Sequence, residues 1–182
     1  MKKSFLCFIL LALCGFAPPK LTKTKIANGI TVLLPSDWQP MDNLDFSERY
    51  PSVRKPLAAY TNAERLVDFS ANISATQWPD TDIDLAKGFF KASIMNMFDK
   101  VEIITEGIRE SHGKKFIYFE FTSRVNGSRK EEGLREPILK YSYIEYLVES
   151  GRTLVFSFTC PKRQQQEWQE TARKMMTSVR VK

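Results

Sequence analysis

Two side chains could in principle form a nucleophile and base pair, but they lie far apart in the sequence. His112 is the only histidine, and Cys160 is the only cysteine outside the apolar N-terminal run. Nucleophilic catalysis needs a base within hydrogen-bond reach of the nucleophile. His112 precedes Gly113 in a turn pattern, which predicts an exposed turn residue. Cys160 ends an apolar run, which predicts a small buried residue at a strand end.

Carboxylates offer a second kind of chemistry. Glu145 and Glu149 are four residues apart on a predicted strand, and alternation places both on one side of it. They could form a glycosidase-like pair, or they could be ordinary charges on the wet face of a sheet, which is the interpretation we favour. Asp80, Asp82 and Asp84 resemble the start of a calcium loop. The glycine and the distal glutamate of an EF-hand are missing, so we interpret them as acids at a helix start.

No familiar catalytic motif accompanies these residues. The sequence contains no G-x-S-x-G, P-loop, G-x-G-x-x-G, H-E-x-x-H or C-x-x-C pattern. We therefore predict no catalytic residue, no cofactor and no bound metal, and a chain that is not an enzyme. The alternative hypothesis is a carboxylate-dependent hydrolase or transferase of the cell envelope.

The N-terminus has the pattern of an export signal. Lys2-Lys3 precedes an uncharged, mostly apolar run over residues 4–16, which is typical of a secretory signal peptide and too short to span a bilayer. We predict a signal over residues 1–17, with cleavage after Ala17 or after Gly15. Cys14 follows Leu-Ala-Leu and is a candidate lipidation site. The chain is therefore predicted to be periplasmic or secreted, either free or held by a lipid anchor, with an uncleaved segment as a further alternative.

Charge and length limit the remaining classes. The chain has 27 Lys and Arg residues against 21 Asp and Glu residues, and the two signs are interleaved through much of it. A nucleic-acid-binding protein would concentrate its basic residues on one face, so we predict no nucleic-acid partner. After the signal about 165 residues remain, which suits one domain. We place a linker at residues 18–29 and a single domain at residues 30–182.

The apolar periodicity predicts an α+β fold. Tight turns at Ser111-His112-Gly113 and Ser150-Gly151-Arg152 join successive strands, which implies antiparallel pairing. We predict one mostly antiparallel sheet with helices packed on its faces, an α/β/α sandwich. A proline-containing loop is predicted over residues 39–62. Strands are predicted at residues 30–34, 66–75, 101–109, 115–125, 138–149 and 153–160, and helices at residues 83–98 and from residue 161 onward.

The first predicted helix is apolar on two sides. Leu85, Phe89, Ala92 and Met95 recur at helical spacing, and a second apolar stripe lies beside them. Two stripes predict a well-buried helix. Gly88 costs about 1 kcal/mol relative to alanine inside a helix, so we predict a close packing contact at this position.

Three segments carry a resemblance to a known group of proteins. They are the strand and corner Ile30–Trp38, the strand Leu154–Cys160, and the last helix with Trp168. Together they resemble the α/β/α sandwich superfamily of PsbP subunits, DcrB-like envelope proteins and a Ran-binding transport factor. The resemblance implies the same fold and an accessory or binding role, and it supplies no catalytic residues.

The aromatic residues suggest where binding would occur. Not all tyrosines of the predicted sheet can point inward with their neighbours, and a tyrosine-bearing face or groove could bind a partner. Together with the 39–62 loop, such a surface would bind another protein or a small hydrophobic ligand, and a membrane only through a lipid anchor. The predicted surface residues are Trp38, Tyr50, Tyr60, Tyr141 and Tyr143.

Overall fold

The computed structural model describes residues 19–49, 55–126, 136–149 and 151–182. The predicted signal, the candidate lipidation site Cys14 and Tyr50 lie outside these ranges. The elements, in chain order, are β1 (Leu21–Ala27), β2 (Ile30–Pro35), β3 (Gln39–Pro40), α1 (Asn43–Arg49), β4 (Ala58–Thr61), β5 (Asp68–Ile73), α2 (Ile83–Met97), β6 (Lys100–Ser111), β7 (Lys114–Val125), β8 (Ile138–Glu149), β9 (Arg152–Pro161), α3 (Gln165–Thr177) and β10 (Arg180–Val181).

Seven strands form one antiparallel sheet in the order β3-β4-β5-β9-β8-β7-β6. The β6–β7 hairpin closes through His112 and Gly113, whose φ angles are 55° and 72°. Two successive positive φ values are typical of the type I′ turn, whose twist matches that of the two strands it joins. This hairpin, the β8–β9 hairpin and the α+β class are as the sequence predicts.

Three further strands form a small sheet in the order β1-β2-β10. Both pairs are antiparallel, so the two ends of the domain meet on β2. Alternate residues of β2, namely Ile30, Val32 and Leu34, are buried in the core. This sheet has a buried inner face and an outer face.

The two faces of the seven-stranded sheet belong to two hydrophobic clusters. One face packs against α3 and the inner face of the small sheet, with Phe156, Phe158 and Trp168 among its buried residues. The other face packs against α2, whose Phe90 ring stacks on Tyr146 with centroids 3.9 Å apart. The layers are therefore α2, the seven-stranded sheet, and α3 beside the small sheet.

Two predicted segments differ from the structure. The linker predicted at residues 18–29 contains β1, a polar strand that pairs with β2 along most of its length. The loop predicted over residues 39–62 contains β3, α1 and β4, and residues 50–54 lie outside the described ranges. Among the described residues, no helix is long and apolar enough to cross a membrane.

Candidate functional site

The structure contradicts most of the predicted tyrosine surface. Trp38, Tyr141 and Tyr143 are buried in the core shared by the seven-stranded sheet, the small sheet and α3. They point inward because α3 and the small sheet cover this face, which we had expected to be partly open. Burial raises the pKa of both tyrosine hydroxyls. Of the four predicted surface residues that the structure describes, only Tyr60 is partly exposed, so these four do not form a continuous surface.

Glu145 was predicted on a solvent-exposed face of the sheet, but in the structure it is buried and forms an ion pair with Arg109. Its carboxylate is fully buried and accepts two hydrogen bonds from Arg109, from Nε at 2.8 Å and from Nη2 at 2.6 Å. Arg109 also donates to the Met176 carbonyl near the end of α3 and lies over the Phe116 ring. Burial raises the pKa of the Glu145 carboxyl, and Arg109 opposes that rise.

Glu149, the other member of the predicted pair, is bound to different cations. Lys114 forms a short ion pair with it, and Arg152 donates to it at 2.9 Å. Burial alone would raise its pKa, but the bonds from Lys114 and Arg152 hold it below the usual value. Glu145 and Glu149 are therefore held by separate basic partners, and Glu145 has no exposed surface, so the two acids do not form one open carboxylate pair.

A second buried carboxylate escaped the sequence analysis. Glu120 of β7 accepts hydrogen bonds from the Tyr141 hydroxyl at 3.0 Å, from Gln169 Nε2 at 2.5 Å and from Arg173 Nε at 3.0 Å. Gln169 and Arg173 are one turn apart on α3. In the sequence, Glu120 is visible only as a charged residue between the apolar residues Phe119 and Phe121. That pattern does not indicate its hydrogen-bond partners Gln169 and Arg173 on α3.

The remaining reactive groups are isolated from one another. Cys160 is buried as predicted, and burial raises the pKa of its thiol to about 12. His112 lies on the exposed β6–β7 turn and its Nδ1 is 3.1 Å from Ser111 Oγ. No group of three or more His, Cys, Asp or Glu side chains within the described ranges could hold a metal ion.

An open groove of about 590 Å³ lies on the α2 side of the seven-stranded sheet, at one end of β5, β9 and β8. Its floor includes Ser157 and Thr159, and Arg65, Asp68 and Lys140 stand around it. The Ser157 hydroxyl is 2.8 Å from that of Ser70. Leu66, Ile138, Leu139 and Pro161 also line the groove, so its walls are both polar and apolar. It is open to solvent and does not enclose a small ligand, whose sites bury most of the ligand surface.

An apolar helix face is the most distinctive exposed feature. On α2, Ile83, Ala86, Phe90 and Ile94 are buried against the sheet. The stripe of Leu85, Phe89, Ala92 and Met95 is exposed, contrary to the predicted well-buried helix, with 68% of Leu85, 41% of Phe89 and 45% of Met95 accessible. A Cβ added at Gly88 would meet nothing within 4 Å, so the predicted close packing contact is not made by any of the described residues. We call Leu85, Gly88, Phe89, Ala92 and Met95 the α2 outer face.

Comparison with known proteins identifies the fold. No family model and no curated protein matches the sequence. Among solved structures, the cyanobacterial PsbP (CyanoP) of Synechocystis sp. PCC 6803 superposes with a TM-score of 0.61 at 14% identity, covering 94% of this chain and 99% of that one. The fold is PsbP-like.

Two other solved structures share this PsbP-like fold. LpqN of Mycobacterium tuberculosis matches with a TM-score of 0.56 at 11% identity, over 88% of this chain and 91% of that one. The Ran-binding protein Mog1p of Saccharomyces cerevisiae matches with a TM-score of 0.53 at 12% identity, over 90% and 96%. Identities this low carry the fold and not the function. The fold agrees with the family resemblance in the sequence.

Proposed function

We propose that this chain is an exported, non-catalytic protein that binds another protein through the α2 outer face. The observation that carries the proposal is the stripe of Leu85, Ala92 and Met95, which the described part of the chain leaves exposed beside Phe89, whose ring packs partly on Trp78. A helix of a soluble protein normally has one apolar face, toward the core. A second one that stays exposed is typical of an interaction site.

The shape of this face favours a helix as the partner element. Gly88 and Ala92 are small and exposed, one helical turn apart, with Leu85 and Phe89 beside them. A row of small residues between larger ones forms a groove that accepts the ridge of another helix. The open space above Gly88 also gives a reason for a residue that weakens the isolated helix. The partner we propose presents an amphipathic helix to this groove.

This geometry favours a protein over the small hydrophobic ligand that the sequence also allowed. Small ligands bind in concave sites that bury most of their surface. The α2 outer face is the convex side of a helix and can be covered only by another extended surface. Full burial of an exposed leucine or phenylalanine side chain contributes about 1.5–3 kcal/mol. Leu85, Phe89 and Met95 are already partly buried, so each would contribute roughly half of that on binding.

The absence of catalysis is supported by the buried acids. Glu120 and Glu145 each have an arginine partner, and Cys160 has a raised pKa. Among the similar structures, Mog1p is described as a Ran-binding protein and LpqN as involved in cell envelope biogenesis. The Ran-binding role of Mog1p agrees with a binding function, and the envelope role of LpqN agrees with export. Export is proposed from the N-terminal sequence, which is typical of a signal.

Site-specific crosslinking tests the proposed surface. A photoreactive amino acid replaces Leu85 in one variant and Leu44 of α1 in a matched control, since 58% of Leu44 is exposed. We expect a protein adduct at position 85 and none at position 44. The crosslinked protein is then purified, and its affinity is measured for the native chain, for Leu85→Asp and for Leu44→Asp. Leu85→Asp should weaken binding at least tenfold with an unchanged melting temperature.

Three results would contradict the proposal. Equal loss of affinity in both aspartate variants would place binding elsewhere. A crosslink only to a second copy of this chain, with a dimer in solution, would make α2 a self-association surface. Turnover in a broad hydrolase screen that disappears on substitution of a single Glu or Asp would favour the enzyme.

A further inference from the structure

Asp and Glu residues are absent from both ends of this chain. All 21 Asp and Glu residues lie between positions 37 and 170. The flanking stretches 19–36 and 171–182 contain no acid, and apart from Arg173 and Lys174 of α3 their basic residues are Lys20, Lys23, Lys25, Arg180 and Lys182. The fold brings these two stretches together, because β1 and β2 come from the first and β10 from the second. The small sheet therefore collects basic charge that the sequence divides between two ends.

The strand register places this charge on the outer face of the small sheet. Lys25 pairs with Thr31, which pairs in turn with Arg180, so the three residues form one row across the sheet. Lys23 lies two residues from Lys25 and shares its face. Lys20 precedes β1, and Lys182 follows β10. We call Lys23 and Lys25, with Lys20 and Lys182 at the rim, the basic face. Arg180 lies at its margin, where its guanidinium donates to Ser111 Oγ and to the Thr177 and Val179 carbonyls.

These lysines have no acidic neighbours to neutralise them. Lys20, Lys23, Lys25 and Lys182 are exposed, and none forms an ion pair with a carboxylate of the described residues. Lysines on an edge strand such as β1 can serve to prevent pairing with other sheets. The same role can apply to Lys182, since β10 is the other edge strand of this sheet, and it leaves these charges available to an anionic partner.

We propose that the basic face binds an anionic lipid surface. The face is one side of a small sheet with its charges in rows, and a bilayer is a complementary partner of opposite charge. Each Lys or Arg near an anionic bilayer strengthens binding about fivefold. Interactions of this kind are exposed and therefore weaken with salt.

The preceding sequence favours a bilayer over an acidic protein. The apolar run at residues 4–16 and the candidate lipidation site Cys14 come directly before Lys20. Whichever of them enters a bilayer brings β1 to its surface. A single acyl chain gives only marginal anchoring, and a basic patch is one of the second signals that make it stable. The inference does not depend on the proposed function, since it concerns a different surface.

Vesicle binding of the full chain tests the inference. Co-sedimentation is measured with vesicles of phosphatidylcholine alone and with equal parts of phosphatidylglycerol, in about 0.05 M and 0.5 M salt. The ratio of binding to anionic vesicles over binding to neutral vesicles separates the electrostatic contribution from any insertion of the apolar run, which both kinds of vesicle allow. Lys23→Gln/Lys25→Gln should lower that ratio about 25-fold, from two fivefold losses. High salt should abolish the preference.

Two further variants separate charge placement from total charge and from folding. Lys115→Gln/Lys140→Gln removes two exposed lysines of β7 and β8, so it changes the net charge equally and should leave the ratio within about threefold of the native value. Lys20→Gln/Lys182→Gln tests the rim without altering β1. Equal binding to both kinds of vesicle, or equal losses in the β1 variant and the Lys115/Lys140 variant, would overturn the inference. Binding of polyglutamate without binding of anionic vesicles would overturn it in favour of an acidic protein.

Discussion

Replacement of Arg109 by methionine should destabilise the folded protein strongly. Arg109 makes a bidentate contact with Glu145, which has no exposed surface, and 17% of the Arg109 side chain is exposed. Removing one partner of a buried ion pair costs about 3–5 kcal/mol, because the remaining charge stays buried without compensation. Arg109→Met also removes the hydrogen bond to the Met176 carbonyl, so we expect the loss to fall near the upper end of that range.

The cost should depend on pH with a definite sign. Burial already raises the pKa of the Glu145 carboxyl, and Arg109 opposes the rise. In Arg109→Met the folded-state pKa therefore rises further, while the unfolded chain keeps an ordinary value of about 4.3. The folded state then holds a proton that the unfolded state has lost. Stability of the variant should fall by up to about 1.4 kcal/mol per pH unit from pH 4.3 up to the folded pKa.

Urea denaturation followed by tryptophan fluorescence measures both effects, because Trp38 and Trp168 are buried. The deficit of Arg109→Met should be larger at pH 7.5 than at pH 5. Arg109→Met/Glu145→Met should recover much of it, since a well-packed apolar pair often replaces a buried ion pair at little cost. The more exposed ion pair between Arg152 and Glu149 serves as the control. Arg152→Met should lower the free energy of unfolding by at most about 1 kcal/mol. A deficit below about 1 kcal/mol for Arg109→Met, or a double variant no more stable than the single one, would refute the reasoning.

Four further predictions follow from single positions. Trp168→Ala should cost about 3–5 kcal/mol in urea denaturation, because its ring packs within 5.6 Å of the Trp38 ring centroid; an unchanged midpoint would contradict the docking of α3. Cys160 should react with a thiol reagent at pH 8 only after unfolding, since its pKa is about 12; fast labelling of the folded protein would contradict this. Gly88→Ala should stabilise the free protein by about 0.5–1 kcal/mol, because the added methyl group meets open space; a lower melting temperature would disagree. Palmitate labelling lost in Cys14→Ser would identify a lipid anchor, whereas an unlabelled chain with a new N-terminus after residue 15 or 17 would identify simple secretion.

The parts of the fold that sequence predicted are those set by local pattern. Alternation and turn residues specified the β6–β7 and β8–β9 hairpins, since glycine at positive φ closes both. The stripe on α3 was likewise readable, because Trp168, Ala172 and Met175 recur at helical spacing and are buried. In each case the information lies within about fifteen residues of chain.

The parts that it missed depend on distant segments. The sequence Thr22-Lys23-Thr24-Lys25 has no apolar alternation, and it forms β1 because β2 offers an edge to pair with. In the sequence, Glu120 and Glu145 resemble charged residues on a solvent-exposed sheet face. In the fold they are buried, because α3 contributes Arg173 and β6 contributes Arg109 as their partners. Apolar periodicity reports which residues can be buried, whereas the partner that buries them lies elsewhere in the chain or in another molecule.

For the α2 outer face, we propose that the partner which buries the apolar residues lies in another molecule. The apolar stripe of this face predicted burial, and the rest of the described chain leaves it exposed. The layer order places α2 on one side of the seven-stranded sheet, and the small sheet with its basic face on the opposite side. A chain held to a lipid surface by the basic face would therefore present the α2 outer face away from the bilayer. Binding to anionic vesicles should leave crosslinking at position 85 intact, and a competition between the two would show that the surfaces are not independent.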